Sequence, residues 1–414
     1  MSFLIGRIRF TLGINMNASR KVTEDVYWIG GDDRNAHIFE GTLPIPEGVS
    51  YNSYVIDDGE IILMDTCDRS VEDTFWTNLR SVLNGRGLGY LFVGHMEPDH
   101  SSVIARVLDA YPDVNVVGSA RALQMLEAFF GVVPRNRTEI KEGDTLTVGK
   151  HTLRFVQAMM VHWPEVMFAY DEYDGTLYSE DAFGTFGTHD GCLFADECDF
   201  DSKFMDEARR YYSNIVGKYG DHVQKVLAKA SDLDIRRICP LHGPVWRKDI
   251  QKIVSKYDLW SRYEPEEKGV CIIYSTMYGN TETVAELLAT KLKARGVENI
   301  IVRRAMEMHP SYMVADAFRY SNLVFAAPTY NNELHPPMAH VIDDMRRMTV
   351  RNRKYSVIGN GSWGPQSQKI IMESMAAMQN MEPVGEPFVF KSSMPASQEP
   401  ELDALADAIA GSMD

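Results

Sequence analysis

His95-Met96-Glu97-Pro98-Asp99-His100 sets four metal-capable side chains within six residues, directly after the apolar run Tyr90-Leu91-Phe92-Val93 and Gly94. Imidazole and carboxylate together make a donor set for a divalent transition metal. An extended run of this kind delivers such donors to a strand end, where a loop can wrap them around an ion. His95 and Glu97, two apart in an extended segment, project the same way and can share one metal. Asp99 and His100 can turn toward a second. The alternative is a helix cap, with Asp-His preceding a helix that starts at Ser101-Ser102. Donors of this density rarely collect on a capping loop by accident.

The hexapeptide resembles the metallo-β-lactamase superfamily signature His-x-His-x-Asp-His, with Glu97 where the second His stands. Zinc sites lean on nitrogen and sulfur, whereas a carboxylate-rich, histidine-supported pair suits redox-active iron. In its Glu variant the motif is similar to that of the flavodiiron proteins. That resemblance implies three further ligands at strand ends. His162 follows Leu153-Arg154-Phe155-Val156, Asp181 follows Leu177-Tyr178-Ser179-Glu180, and His242 follows Ile238-Cys239-Pro240-Leu241 and precedes Gly243-Pro244. The resemblance assigns His95, Glu97 and His162 to one iron, Asp99 and His242 to the other, and Asp181 as the bridge. It leaves open whether His100 binds metal or yields to water. His37, His151, His189, His222, His309, His335 and His340 have no comparable ligand neighbours and read as surface or core residues. Phe39-Glu40-Gly41 stands where many family members carry Phe-His-Gly, a departure that bears on substrate preference or proton supply.

The elements that must position these residues alternate short strands and helices before residue 250. Tyr54-Val55-Ile56, the turn Asp57-Asp58-Gly59 and Ile61-Ile62-Leu63-Met64 read as a hairpin. Periodicity alone gives a mixed α and β domain. The resemblance implies an αββα sandwich with the metals at one edge. A helix carrying Ile250, Ile253, Val254 and Tyr257 closes it, and the polar string Glu264-Pro265-Glu266-Glu267-Lys268-Gly269 marks the boundary. The expected division is an N-terminal extension over 1–22, a metallo-β-lactamase-like domain over 23–264 and a flavodoxin-like domain over 265–414, an α/β chain throughout.

The second domain opens with the buried-type strand Val270-Cys271-Ile272-Ile273-Tyr274, and then a loop of Ser275, Thr276, Met277, Tyr278, Gly279, Asn280 and Thr281. A helix follows, with Val284, Leu287, Leu288 and Leu292 on one face, and Gly296 ends it. A hydroxyl-rich loop between a first strand and its helix cradles an anion on free N–H groups and the helix dipole. It lacks the Gly-Lys-Ser/Thr of a nucleoside triphosphatase and so suits a phosphate monoester. Ser-Thr-x-x-Gly-Asn-Thr resembles the flavodoxin loop for FMN. Two later strands end in Pro328-Thr329-Tyr330-Asn331 and in Gly359-Asn360-Gly361-Ser362-Trp363-Gly364, at the carboxyl ends where open α/β sheets bind ligands. By resemblance these loops flank the isoalloxazine, with Trp363 against or near it. The second loop also satisfies G-x-G-x-x-G, with Glu382 at the spacing of a ribose-binding acid. A nicotinamide reading fails because that fingerprint belongs in the first βα turn, which is already the phosphate loop.

A chain of 414 residues exceeds one ordinary core. A net charge of −16 argues against nucleic acid and anionic membranes. The five cysteines, Cys67, Cys192, Cys198, Cys239 and Cys271, include no Cys-x-x-Cys pair, which leaves no rubredoxin-type or iron–sulfur site, so electrons must come from outside the chain. No apolar run spans a bilayer. Met1 to Val22 carry Arg7, Arg9, Arg20 and Lys21 with no acidic residue, a composition shared with transit segments, but so short a stretch reads as a cytosolic extension. The cysteine profile is that of a reducing compartment such as the cytoplasm, and the resemblance implies an oxygen and/or nitric oxide reductase with two irons and FMN. It also implies an external donor (rubredoxin, a flavin reductase or a deazaflavin) and a head-to-tail homodimer or dimer of dimers. The competing expectation is a dizinc hydrolase with an accessory flavodoxin module.

Overall fold

The computed structural model describes residues 17–413. Most of the expected extension, and with it the transit-segment reading, lies outside the described residues. Arg20–Lys21 already pair antiparallel with Tyr27 and Trp28 at the edge of the first sheet.

Two mixed sheets carry the predicted donor residues. The first has seven strands, ordered Arg20–Lys21, Val26–Trp28, Tyr54–Asp58, Glu60–Met64, Tyr90–Val93, Asn115–Ser119 and Asn136–Ile140. The second has five, running from Thr145–Val148 through His151–Gln157, Met167–Asp171 and Thr176–Tyr178 to Arg237–Cys239. The predicted hairpin forms with a tighter turn than expected, since Asp58 pairs directly with Glu60 around Gly59 at φ 84°. Alternate residues of each sheet meet between them: Ile56, Ile62, Phe92 and Val117 face Leu153, Phe155, Met167 and Tyr178. Phe92 stacks on Phe155 at 5.3 Å between centroids. Each such side chain contributes about 1.5–3 kcal/mol when withdrawn from water. The outer face of the first sheet is covered by helices, among them Glu72–Leu83 and Ala120–Phe130, which bury Phe75, Leu79, Ala122 and Leu126 against it.

The third sheet is parallel along its main path, Ile300–Arg304, Glu267–Tyr274, Tyr320–Tyr330 and Arg353–Asn360, with Met381–Pro383 and Phe388–Phe390 both alongside the last. The first strand in sequence lies inside the sheet with the second at its edge, which is the doubly wound order of flavodoxin-like sheets. The Gly359–Gly364 loop follows a later strand of this sheet, as the rejection of a nicotinamide site requires.

The polar string at the expected boundary is no loose linker. Glu267 already opens a strand, and the Glu266 side chain is 1% exposed, bonded by Lys256 and the Trp260 indole at 2.6 Å each and by the Arg209 guanidinium. Its composition resembled a linker because a buried carboxylate with three donors carries no local sequence mark. Nearby, the buried Arg353 guanidinium donates to the carbonyls of Tyr263, Ala317 and Phe318 and ties the two parts together. No described helix is long and apolar enough to cross a membrane.

Candidate metal centre and cofactor cleft

The strand Tyr90–Val93 ends at Gly94, and the chain turns into a short helix, Pro98–Ser101, with Glu97 at its N-cap. Asp99 and His100 thus lie inside this helix rather than before one at Ser101, and no side chain caps it, so the cap alternative does not hold. Asp99 and His100 sit in the first turn and aim their side chains away from the helix toward His242. A Cβ on residue 94 would lie 2.3 Å from Glu180 Oε1, so only glycine lets the loop pass over this buried carboxyl.

All seven sequence-predicted donors converge in two groups: His95, Glu97, His162 and Asp181 in one, Asp99, His100 and His242 in the other. Asp181 touches both. Its Oδ2 lies 3.1 Å from His162 Nε2 and 3.4 Å from His95 Nε2, and its Oδ1 lies 3.1 Å from His100 Nε2 and 3.5 Å from His242 Nε2. Glu97 Oε2 is 3.0 Å from His162 Nε2, and Asp99 Oδ2 is 3.3 Å from His242 Nε2. His100, left open by the sequence, thus falls among the donors of the second group.

The donors fit a pair of divalent cations. Both oxygens of Asp99, both ring nitrogens of His100, Asp181 Oδ1 and His242 Nε2 are buried without a hydrogen-bond partner. Buried polar atoms are normally paired, and three carboxylates in one interior pocket are costly unless positive charge offsets them. Burial alone would lower the imidazoles' proton affinity. The hydrogen bonds and charge of the carboxylates outweigh it, raising His95 well above its ordinary value and His162 to about 9. The same field favours any cation.

Two partners outside the predicted set fix ring orientation. Glu165 Oε1 accepts from His95 Nδ1 at 2.8 Å, and the Ser50 carbonyl accepts from His242 Nδ1 at 2.8 Å, so each ring presents Nε2 to the centre. Glu165 also takes the Met96 N–H at 3.0 Å. Glu165 lies three residues past His162 and had a signal in that spacing; a backbone carbonyl has none. Phe39, Tyr51 and Tyr211 surround the His242 ring at 5.5–5.6 Å, and Trp163 packs edge-on to His95 at 5.4 Å. Glu40 is exposed as a residue, at φ 48°, yet its carboxyl turns in to Glu97; burial and the Glu97 charge push it up to about 8. Of the histidines read as bland, His151 was misjudged: it lies buried with Asp171 and Asp174 in a further donor cluster.

A cleft of about 620 Å³ opens at the carboxyl ends of the third sheet. Its walls include Thr276, Met277, Tyr278, Asn280, Thr281, Pro328, Thr329, Tyr330, Asn331, Asn360, Gly361, Ser362, Trp363 and Gly364, all predicted, together with Asn332 and Ser392, which were not. Ser275 and Gly279 do not reach the wall. Ser275 is fully buried with an unpartnered Oγ, and Gly279, at φ 90°, donates its N–H to Thr276 Oγ1 and turns the chain into the helix Asn280–Ala294. That helix N-terminus and its hydroxyls suit the phosphate of FMN. Trp363 and Tyr278 stand at the rim, 90% and 88% exposed. No residue of the metal donor set lines the cleft.

Two family models match the chain, an ODP family beta lactamase over residues 49–243 and flavodoxin over 272–377. The chain is 31% identical over 369 residues to a nitric oxide reductase of Moorella thermoacetica, covering 88% of this chain and 91% of that one. It is 29% identical to an anaerobic nitric oxide reductase flavorubredoxin of Salmonella arizonae, over 93% of this chain and 79% of the relative. Among solved structures, the flavodiiron protein of Giardia intestinalis superposes with a TM-score of 0.89 at 25% identity, over 95% and 97% of the two chains. A rubredoxin oxygen:oxidoreductase of Desulfovibrio gigas shares the fold, with a TM-score of 0.88 at 24% identity over 95% and 98%.

Proposed function

We propose that this chain, which belongs to the flavodiiron protein family, is an oxidoreductase that takes dioxygen to water, nitric oxide to nitrous oxide, or both, at a two-iron centre fed by FMN. The observation that carries the reading is Asp181, whose two carboxylate oxygens each face a different group of donors. When bound, two ferrous ions and a reduced flavin supply two electrons each, enough for four-electron reduction of dioxygen, while coupling two nitric oxides to nitrous oxide takes two.

In this reading His95, Glu97 and His162 would hold one iron and Asp99, His100 and His242 the other, with Asp181 the residue shared between them. Glu165 and the Ser50 carbonyl keep the imidazoles aimed, and Phe39, Tyr51, Trp163 and Tyr211 exclude water from the donors. Thr276 to Thr281 would receive the FMN phosphate, backed by Ser275, and the loops at Pro328–Asn331 and Asn360–Gly364 would take its ring. The domains are taken as 23–264 and 265–414.

The electron donor is external, a rubredoxin-like protein, a flavin reductase or a deazaflavin. Five free thiols support a reducing compartment such as the cytoplasm. A head-to-tail dimer, or a dimer of such dimers, would set one subunit's FMN against its partner's irons. Two apolar rims support it: Tyr278, Tyr330 and Trp363 at the cleft, and Phe129, Val133 and Met159 on the metal-bearing domain, are exposed large hydrophobics. A dizinc hydrolase is not favoured, since hydrolysis has no use for the flavin cleft that the same chain carries. Anaerobic reduction followed by parallel rate measurements with each gas tests the proposal. Rapid reoxidation by at least one gas is expected, and an inert reduced protein that hydrolyses esters or thioesters would overturn it.

A further inference from the structure

The five-stranded sheet carries another donor cluster at the end opposite the two-iron donors. His151 opens the strand His151–Gln157, whereas His162 follows its far end, roughly 20 Å away at the rise of an extended chain. Asp171 closes the adjacent strand, and Asp174 lies in the turn leading to Thr176–Tyr178. Ligand atoms of His151, Asp171 and Asp174 all lie within 4.8 Å of one another. His151 and Asp171 are completely buried, with Nδ1 of the ring 2.5 Å from Asp171 Oδ2.

Several of the remaining polar atoms lack a hydrogen-bond partner. Asp171 Oδ1 accepts the Tyr173 N–H and Asp174 Oδ1 the Thr176 N–H, both at 3.0 Å, leaving Asp174 Oδ2 without a hydrogen-bond partner. Thr176 Oγ1, completely buried beside it, is also unpartnered. His151 Nε2 makes no hydrogen bond and faces Asp25 Oδ2 at 3.5 Å. The local cations are already engaged: Lys150 Nζ sits on Asp25 at 2.7 Å, and Arg237 Nη1 donates to the Asp174 carbonyl at 2.9 Å, 3.9 Å from its Oδ2. A buried imidazole, two inward carboxylates and an idle hydroxyl exceed what a simple His–Asp pair needs.

We infer that His151, Asp171 and Asp174 form a separate site for a first-row divalent cation, for which zinc is the probe. His151 Nδ1 and one oxygen from each aspartate would be the protein donors, a nitrogen and oxygen set open to first-row divalent cations and beyond the reach of the flavin and the two irons. Asp25 would take the proton of Nε2, the carboxylate–histidine–metal arrangement that fixes a ligand's orientation. The ion would pin the Asp171–Thr176 turn to the opening of its neighbouring strand and, through Asp25, to the first sheet. Its role is structural and independent of the reductase.

The test uses the iron- and FMN-loaded protein, incubated with zinc, desalted, and assayed for metals. One zinc per chain is expected with the iron content unchanged. Asp174→Asn, which keeps the acceptor for the Thr176 N–H, should bind zinc at least tenfold more weakly while iron, flavin and turnover stay as in the unmodified protein. Zinc-edge anomalous diffraction from zinc-soaked crystals of the unmodified protein decides the matter even if the variant does not fold. A peak among His151, Asp171 and Asp174 supports the site. Zinc only elsewhere, no zinc, or undiminished binding by a folded Asp174→Asn overturns it.

Discussion

At the scale of single residues, the centre turns on Asp181. A carboxylate whose two oxygens face different clusters can offset two cations at once, which a neutral imidazole cannot do. Asp181→Ala should therefore abolish oxygen and nitric oxide consumption and lower iron content while FMN content stays unchanged; full turnover with iron retained would refute the bridging role. Glu165 acts through His95, and loss of such an outer partner commonly weakens metal affinity about 10–100-fold. Glu165→Ala should show that loss in a competition assay against an iron chelator, with the flavin spectrum unaltered. The donors were legible in the sequence because their types are chemically diagnostic and each follows an apolar run. Ser50 was not, since its carbonyl does the orienting and any residue supplies one. His151 was not, because its partners lie 20 and 23 residues away and meet it only through strand pairing.

At the scale of elements, strand ends explain the site: the loops after Tyr90–Val93, His151–Gln157, Thr176–Tyr178 and Arg237–Cys239 all contribute donors to one edge of the sandwich. Short apolar runs revealed those strands, but not which face of the Pro98–Ser101 turn would carry ligands. Gly94 is the element's weak point, because a methyl group there must displace Glu180. Gly94→Ala should lower iron occupancy and thermal stability together, as metal analysis and melting curves would show. The domain junction depends on Glu266. Burial alone would raise its carboxyl, but hydrogen bonds and charge from Arg209 and Lys256 prevail and hold it below its ordinary 4.5. A depressed carboxyl stabilises the fold above its unfolded value, so this contribution is complete above about pH 4.5 and is lost as pH falls through the lower folded value. Glu266→Gln should destabilise the protein by about 3 kcal/mol near neutral pH, with the difference from the unmodified protein shrinking in acid. An unchanged difference at low pH would contradict the assignment.

At the scale of the whole molecule, two cofactor sites share one chain but no wall, and the proposed head-to-tail dimer would bring one subunit's FMN to its partner's irons. A dilution series should show turnover falling together with dimerisation, and undiminished turnover by a monomer would end the head-to-tail arrangement. The sequence revealed both halves of the molecule because each rests on local motifs. It could not reveal how tightly the halves join, since Glu266 and Arg353 act through partners distant in the chain. The central claim, that these seven donors hold two irons across Asp181, is tested most directly by iron-edge anomalous diffraction from crystals of the iron-loaded protein. Two iron peaks flanking Asp181 are predicted, one against His95, Glu97 and His162 and the other against Asp99, His100 and His242; a single peak, zinc in their stead, or iron remote from Asp181 would contradict it.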